Sequence, residues 1–92
     1  MNNIRWNEQK SEWLKQNRGV GFERIAILME QGKVLKILDH PDQDKYPNQK
    51  IAIVEIDRYA CLVPYNYEGE DIILKTIIPS RKATQKYLRR KK

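Results

Sequence analysis

The chain has 92 residues, with 18 Lys and Arg against 12 Asp and Glu, and a net charge of +6. A chain of this length holds one domain rather than two. Its mixed charges and 40% hydrophobic residues are typical of a globular rather than a disordered protein. A lone cysteine excludes an intrachain disulfide and a cysteine-based metal cage. No Gly-rich phosphate loop is visible either, and we expect no metal or other cofactor. Apolar runs too short for a membrane span, and a start unlike a signal peptide, favour a cytoplasmic protein.

The positive charge is concentrated at one end of the chain. Residues 81–92 carry seven bases and no acid, whereas the first eighty residues carry eleven bases against all twelve acids. We therefore predict a single domain over residues 1–92 whose last twelve residues form a basic helix and tail. The chemistry of that end is the main question that the sequence poses.

Two helices are predicted at the amino-terminal end. Asn7 is a favourable N-cap, and the turn sequence Asn17-Arg18-Gly19 ends the first helix. Apolar residues at helical spacing predict the second helix from about Phe22 to Gln31, with Gly32 as its stop. Near the other end of the chain, Ser80 is a favourable N-cap for a third helix that begins at Arg81.

Strand-like segments fill the middle of the chain, and a long loop at residues 39–49 follows the first of them. The predicted strands are residues 34–38, 50–56, 59–65 and 71–78. Short turns at residues 57–58 and 66–70 predict that the last three form an antiparallel meander. Pro64 indicates a strand end or an edge position. The expected fold is α+β: two helices, a four-stranded antiparallel sheet and a carboxyl-terminal helix, with one sheet face left open as a platform for a ligand.

Arg81 and Lys82 are the strongest candidates for a functional site. They fall in the first turn of the predicted last helix, where the helix dipole disfavours cations and favours anions. Two cations at this place fit contact with a phosphate or an RNA. The alternative is that both side chains are solvated or pair with acids such as Glu55 or Asp57.

Lys75 interrupts an otherwise apolar strand. Strand alternation places it on the same face as Ile73 and Ile77. It lies only a few residues before Arg81 and could converge on the same phosphate. Equally, it could only protect a sheet edge from aggregation.

Three tyrosines are candidates for contact with RNA bases. Tyr59 and Tyr65 alternate on one strand face, and Tyr87 lies on the last helix close to Lys86. Aromatic rings near bases can stack single-stranded RNA, and a tyrosine hydroxyl can carry a proton. Each of them could also be an ordinary half-buried strand or helix residue.

The remaining candidates have simpler interpretations. Arg89 and Arg90 begin a solvated tail that could add non-specific attraction to phosphate. His40 is best interpreted as a solvated loop residue rather than a metal ligand or a catalytic base, because the calcium-loop pattern is missing around it. Cys61 lies in an apolar run and is predicted to be a small core residue.

Three segments resemble BrnT-type toxins. Residues 4–10 (IRWNEQK) resemble a Trp-Asp-x-x-Lys start, and residues 17–23 (NRGVGFE) resemble a Lys-His-Gly-Val-x-Phe-Glu junction. Residues 77–84 (IIPSRKAT) resemble the segment Ile-Ile-Ser-Ala-Arg-Lys-Ala-Thr, the most specific of the three. The family commonly has an Arg directly before the Ile-Ile pair. This chain has Thr76 there, with Lys75 one residue earlier.

The resemblance implies a RelE-like fold and a toxin of a type II toxin–antitoxin pair. It also implies a metal-independent endoribonuclease that inhibits translation and is neutralised by a DNA-binding antitoxin. The RNA would be mRNA, free or on the ribosome. Arg81 and Lys82 match the family's basic pair, and Tyr65 falls where members place a His or Tyr at the end of a strand.

The sequence thus gives one leading hypothesis and two alternatives. In the first, a 2′-hydroxyl of the RNA attacks the adjacent phosphate, Arg81 and Lys82 stabilise the developing charge, and Tyr65 or Lys75 carries a proton. In the second, the chain is a non-catalytic RNA- or DNA-binding or regulatory module, or an inactive toxin homologue. In the third, its basic helix binds an acidic protein partner.

Overall fold

A computed structural model describes residues 3–88, which form three helices and six strands. In chain order they are β1 (Ile4–Arg5), α1 (Glu8–Arg18), α2 (Phe22–Glu30), β2 (Val34–Asp39), β3 (Gln49–Ile56), β4 (Tyr59–Glu68), β5 (Asp71–Leu74), β6 (Ile78–Pro79) and α3 (Arg81–Tyr87). No helix in this part of the chain is long and apolar enough to cross a membrane. The α+β class predicted from the sequence is confirmed.

The helix ends follow the capping residues. The Asn7 side chain accepts a hydrogen bond from the Lys10 N–H at 2.9 Å and so caps α1. Gly19 ends that helix in the left-handed conformation, with φ 78°, which glycine adopts without steric cost. The predicted bounds of the first two helices are therefore confirmed to within a residue.

Ser11 replaces the missing cap of α2. The N-cap residue of that helix is Gly21, which has no side chain to accept a hydrogen bond. The buried Ser11 hydroxyl of α1 instead accepts from the Phe22 N–H at 2.9 Å and donates to Glu23 at 3.1 Å. A backbone hydrogen bond at Glu23 itself, assisted by the one from Ser11, lowers the pKa of the Glu23 carboxyl. The two helices are thus joined through one hydroxyl group.

We expect Ser11→Ala to lower the free energy of unfolding by about 1–3 kcal/mol, because it leaves the buried Phe22 N–H without a partner. Urea denaturation followed by circular dichroism measures this. Ser11→Thr is not a suitable control, because it keeps the hydroxyl but adds a methyl group at a fully buried site. The control is Gln16→Ala, which shortens a side chain to alanine on the exposed side of the same helix. An Ser11→Ala variant as stable as Gln16→Ala would contradict the capping role.

The sheet has six strands, not the predicted four. Its order is β1-β5-β4-β3-β2, and β6 pairs with β4 beside β5. The strand β1 runs parallel to β5, so the sheet is mixed rather than wholly antiparallel. Two-residue strands such as β1 and β6 carry no periodicity, which is why the sequence pattern does not predict them.

A bulge divides the predicted strand at residues 71–78. Leu74 pairs with Tyr65, but Ile78 pairs with Leu62, so the register along β4 shifts by one residue between β5 and β6. Ile77 is consequently turned into the core, whereas Lys75 is exposed. The prediction that Lys75 and Ile77 share a face is therefore wrong, because alternation does not continue through a bulge.

The same bulge explains why Pro64 lies in a central strand rather than at an edge. The Pro64 carbonyl accepts a hydrogen bond from the Lys75 N–H at 2.9 Å. It therefore points toward the segment between β5 and β6. The N–H and C=O of one strand residue point to the same neighbour. The N–H that proline lacks would therefore point at the bulge, where the ladder is already interrupted.

The two faces of the sheet are covered by different helices. On the first, here called the α1/α2 face, Val54, Cys61 and Val63 pack with Leu14 and Phe22 in the main core. On the second, here called the α3 face, the contacts to α3 come from Ile53, Ala60 and Leu62, which meet Ala83, Tyr87 and Leu88. The expectation that one face is left open is thus corrected: α3 covers part of it.

Candidate nucleic-acid interface

Two hydroxyl groups fix α3 against the sheet. Ser80 caps the helix by accepting from the Ala83 N–H at 3.0 Å, as predicted. Thr84, only 6% exposed, accepts from the buried Ala60 N–H of β4 and donates to the Ser80 carbonyl, both at 2.8 Å. Thr84 therefore links α3 to β4, beside a backbone hydrogen bond from the Ser80 N–H to the Ala60 carbonyl at 3.0 Å.

We expect Thr84→Val to lower the free energy of unfolding by about 1–3 kcal/mol, because the buried Ala60 N–H loses its acceptor. Thr84→Ser is the matched control, since it keeps the hydroxyl. Thermal or urea denaturation of both variants measures the difference. Equal stability of the two variants would show that this hydrogen bond does not anchor the helix.

A shallow cleft of about 210 Å³ lies between α3 and the α3 face. Apolar side chains from three strands, Leu38, Ile53 and Leu62, line its sheet side. Its helix side carries Lys82, Lys86 and Tyr87, and the ammonium group of Lys86 lies 5.4 Å from the Tyr87 ring centroid. We call this group of residues the basic cleft.

The cations of α3 are not neutralised within the described chain. Arg81 and Lys82 are exposed in the first turn of α3, and Lys86 is exposed in its last. The ion pairs among residues 3–88 join Arg5, Lys15 and Lys50 to acids, and none of them involves a residue of α3. The alternative that Arg81 and Lys82 pair with Glu55 or Asp57 is therefore not seen.

Tyr65 lies in the core rather than in the basic cleft. It is 1% exposed and belongs to the main core beneath α1 and α2, on the sheet face opposite to α3. Burial raises the pKa of its hydroxyl, and the neighbouring Tyr67, whose ring centroid is 5.7 Å away, raises it further. This placement argues against the predicted role as a proton carrier, because substrate cannot reach the hydroxyl.

The other predicted tyrosine contacts are split between the two faces. Tyr59 pairs with Ile56 and by alternation shares the α1/α2 face with Tyr65, as the sequence predicts. That face is the wrong one for stacking with a ligand in the basic cleft. Tyr87 does line the cleft. Arg89 and Arg90 lie outside the described residues.

Lys75 lies apart from the basic cleft. It is exposed just after β5 and lines a pocket of about 490 Å³ at the sheet edge, together with Asn7, Gln9 and Lys10 near the start of α1. The structure thus brings Lys82, Lys86 and Tyr87 together at the basic cleft and places Lys75 in a different pocket. Arg81 is exposed beside Lys82 at the start of α3 but does not line the cleft.

His40 and Cys61 have structural roles. The His40 Nδ1 atom accepts from the Asp42 N–H at 3.0 Å, and its ring packs 4.4 Å from the Tyr46 ring, so it organises a loop. Cys61 is a core residue, as predicted, and burial raises the pKa of its thiol. In residues 3–88 no group of three or more His, Cys, Asp or Glu is placed to hold a metal ion.

Sequence reasoning did not identify the apolar floor of the cleft. Leu38, Ile53 and Leu62 come from three strands that become neighbours only through the sheet register. The alternation within β3 and β4 could have placed Ile53 and Leu62 on one face. Nothing in the pattern showed that α3 would pack beside them.

Comparisons of the chain with family models, with curated proteins and with solved structures find no match.

Proposed function

We propose that the protein is an RNA-directed toxin of a type II toxin–antitoxin pair, acting as a metal-independent endoribonuclease. The observation that carries the proposal is the basic cleft: an apolar floor with Tyr87 at its side and the cations of α3 at its rim, none of them paired with an acid in residues 3–88. An apolar and aromatic surface beside cations suits a nucleobase and its phosphate. The motif resemblance at residues 77–84 supports the same function.

In the proposed reaction, the 2′-hydroxyl of the RNA attacks the adjacent phosphorus, and the bond to the 5′-oxygen of the next nucleotide breaks. Arg81 and Lys82 stabilise the additional negative charge of the pentacoordinate phosphate, an electrostatic effect that needs no protein nucleophile. The 2′-hydroxyl loses a proton and the departing 5′-oxygen gains one. Solvent water exchanges both protons in this proposal, because Tyr65 is buried and Lys75 lies in a different pocket.

The proposed protein partner is a DNA-binding antitoxin that covers the basic cleft. A partner that binds there would exclude RNA and supply acidic groups to the α3 cations. Co-expression with the antitoxin should therefore suppress both RNA binding and any arrest of growth.

The test is incubation of the purified protein with a labelled RNA oligonucleotide in EDTA. We expect cleavage to persist and to leave 2′,3′-cyclic phosphate ends. A substrate with 2′-deoxyribose at the cleaved nucleotide should stay intact, because the attacking group is missing. Complete dependence of cleavage on added magnesium would refute the proposed mechanism.

A second candidate function is non-catalytic RNA binding. It is favoured by the burial of Tyr65 and by the position of Lys75 in another pocket, which leave the cleft without a proton carrier from the predicted set. Salt-sensitive RNA binding without cleavage, and no arrest of growth on expression, would support this function over the first.

A further inference from the structure

A third pocket, of about 330 Å³, lies at the other end of the sheet from α3, between the loop at residues 40–48 and the end of β4. We call it the loop pocket. The residues of its wall that matter here are Lys45, Tyr46, Asn48, Gln49, Asn66 and Tyr67. It thus combines the Tyr46 ring, three side-chain amides and a cation, the groups with which proteins recognise unstacked bases. The Tyr67 ring itself contacts Tyr65 on the α1/α2 face.

The loop that carries Tyr46 is held in place by hydrogen bonds. The Asp42 carbonyl accepts from the Tyr46 N–H at 2.9 Å, and the Asp42 carboxylate accepts from the Lys45 N–H at 3.1 Å. His40 packs against one side of the Tyr46 ring, which is still 39% exposed. Tyr46 is therefore a partly exposed aromatic ring on a hydrogen-bonded loop, and a ligand that stacks on it need not order the loop.

The amides of the loop pocket are available to a ligand. Gln49 and Asn66 are cross-strand partners in β3 and β4, both half-buried. No hydrogen bond within the described chain uses the side-chain amide of Asn48, Gln49 or Asn66. An amide offers a donor and an acceptor side by side, which matches the edge of a nucleobase.

The wall of the loop pocket carries one cation, Lys45, and one acid, Glu68. The Lys45 ammonium lies 5.6 Å from the Tyr46 ring centroid. The one acid in the wall, Glu68, is paired with Arg5 at 3.0 Å, so its negative charge is compensated. Lys45 is thus the charged wall residue without an opposite partner among the ion pairs of the described chain, whereas the loop's acids Asp42 and Asp44 lie outside the wall.

The loop pocket and the basic cleft lie along one face of the sheet. Asn66 and Leu62 belong to β4 and, four residues apart, have side chains on the same α3 face, about 13 Å from each other. A short single-stranded segment can therefore reach both places. The geometry points to a nucleobase-binding subsite in the loop pocket, which selects the base of an RNA strand whose phosphates lie at the basic cleft. This inference rests on the proposed RNA-directed function.

The test measures binding of fluorescein-labelled A, C and U homo-oligoribonucleotides by anisotropy over a range of salt concentrations. We expect the wild-type chain to prefer one oligonucleotide by about tenfold or more. Tyr46→Ala should lower the affinity for the preferred oligonucleotide by about tenfold, and Gln49→Ala/Asn66→Ala should abolish the preference for it. Both variants should keep the wild-type dependence of affinity on salt, since the phosphate contacts lie elsewhere.

Trp13→Ala/Gln16→Ala is the matched control, because it removes an exposed aromatic ring and an exposed amide from α1. It should leave the preference intact, and circular dichroism verifies the fold of each variant. If the loop-pocket variants bind RNA in a salt-dependent way and keep the wild-type preference among the oligonucleotides, the subsite is refuted and the proposed function is not. Absence of binding to every oligonucleotide by the wild type would instead overturn the proposed function.

Discussion

Replacing Arg81 and Lys82 together with alanine is expected to slow RNA cleavage at least about 100-fold, because the transition state loses preorganised positive charge. RNA binding should weaken as well, and the slope of log affinity against log salt should flatten by about 1.4, the contribution of two phosphate contacts on a single strand. Cleavage of a labelled oligonucleotide and anisotropy titrations at several salt concentrations measure these effects. The variant should remain folded, since both side chains are exposed and lie at the end of α3 where cations are disfavoured.

The matched control is Arg24→Ala/Lys33→Ala. Both side chains are exposed, neither takes part in an ion pair of the described chain, and the change in net charge is the same. They lie on α2 and in the turn after it, remote in the chain from α3. An equal loss of cleavage and an equal change of slope in the two double variants would mean that net charge, not the basic cleft, governs the interaction with RNA.

Local signals of the sequence predict the helices well. Asn7, Ser80 and Gly19 act through their own side chain or backbone conformation on groups within a few residues, so their effect does not depend on the rest of the fold. The short gap between two strand patterns likewise predicts the β3–β4 turn, in which Asp57 and Arg58 both have positive φ, the conformation of a type I′ turn.

The sequence is less informative where the structure depends on pairing between segments that are distant in the chain. The bulge after Leu74 exists because β4 pairs with two separate strands along one edge, and alternation in residues 71–78 alone does not reveal it. The erroneous placement of Lys75 beside Ile77 follows directly. The parallel pairing of β1 with β5 is equally invisible, because two residues make no pattern.

The candidate site divides in the same way. Arg81 and Lys82 could be selected from the sequence because they contradict a local preference of the helix start. The floor of the basic cleft and the walls of the loop pocket could not, since their residues meet only through the β2–β3–β4 register and the packing of α3. Tyr65 has the sequence environment of a half-exposed strand residue, and only the layer formed by α1 and α2 buries it.

Substitutions of Tyr65 test whether this residue stabilises the core or takes part in catalysis. Tyr65→Ala is expected to lower the free energy of unfolding by about 3–5 kcal/mol, because it leaves a large cavity in the main core. That loss is a large part of the stability of a small domain, so we expect a partly or fully unfolded protein. Urea denaturation measures it.

Tyr65→Phe separates packing from chemistry. It keeps the ring in the core and removes only a hydroxyl whose pKa is raised by burial, so the group is not ionised near neutral pH. We therefore expect the Phe variant to stay folded and to cleave RNA at a rate within about threefold of the wild type, far less than the 100-fold loss typical of a removed catalytic group. A folded Phe variant with a hundredfold lower rate would instead place Tyr65 among the catalytic residues and would require the core beneath α1 and α2 to open during the reaction.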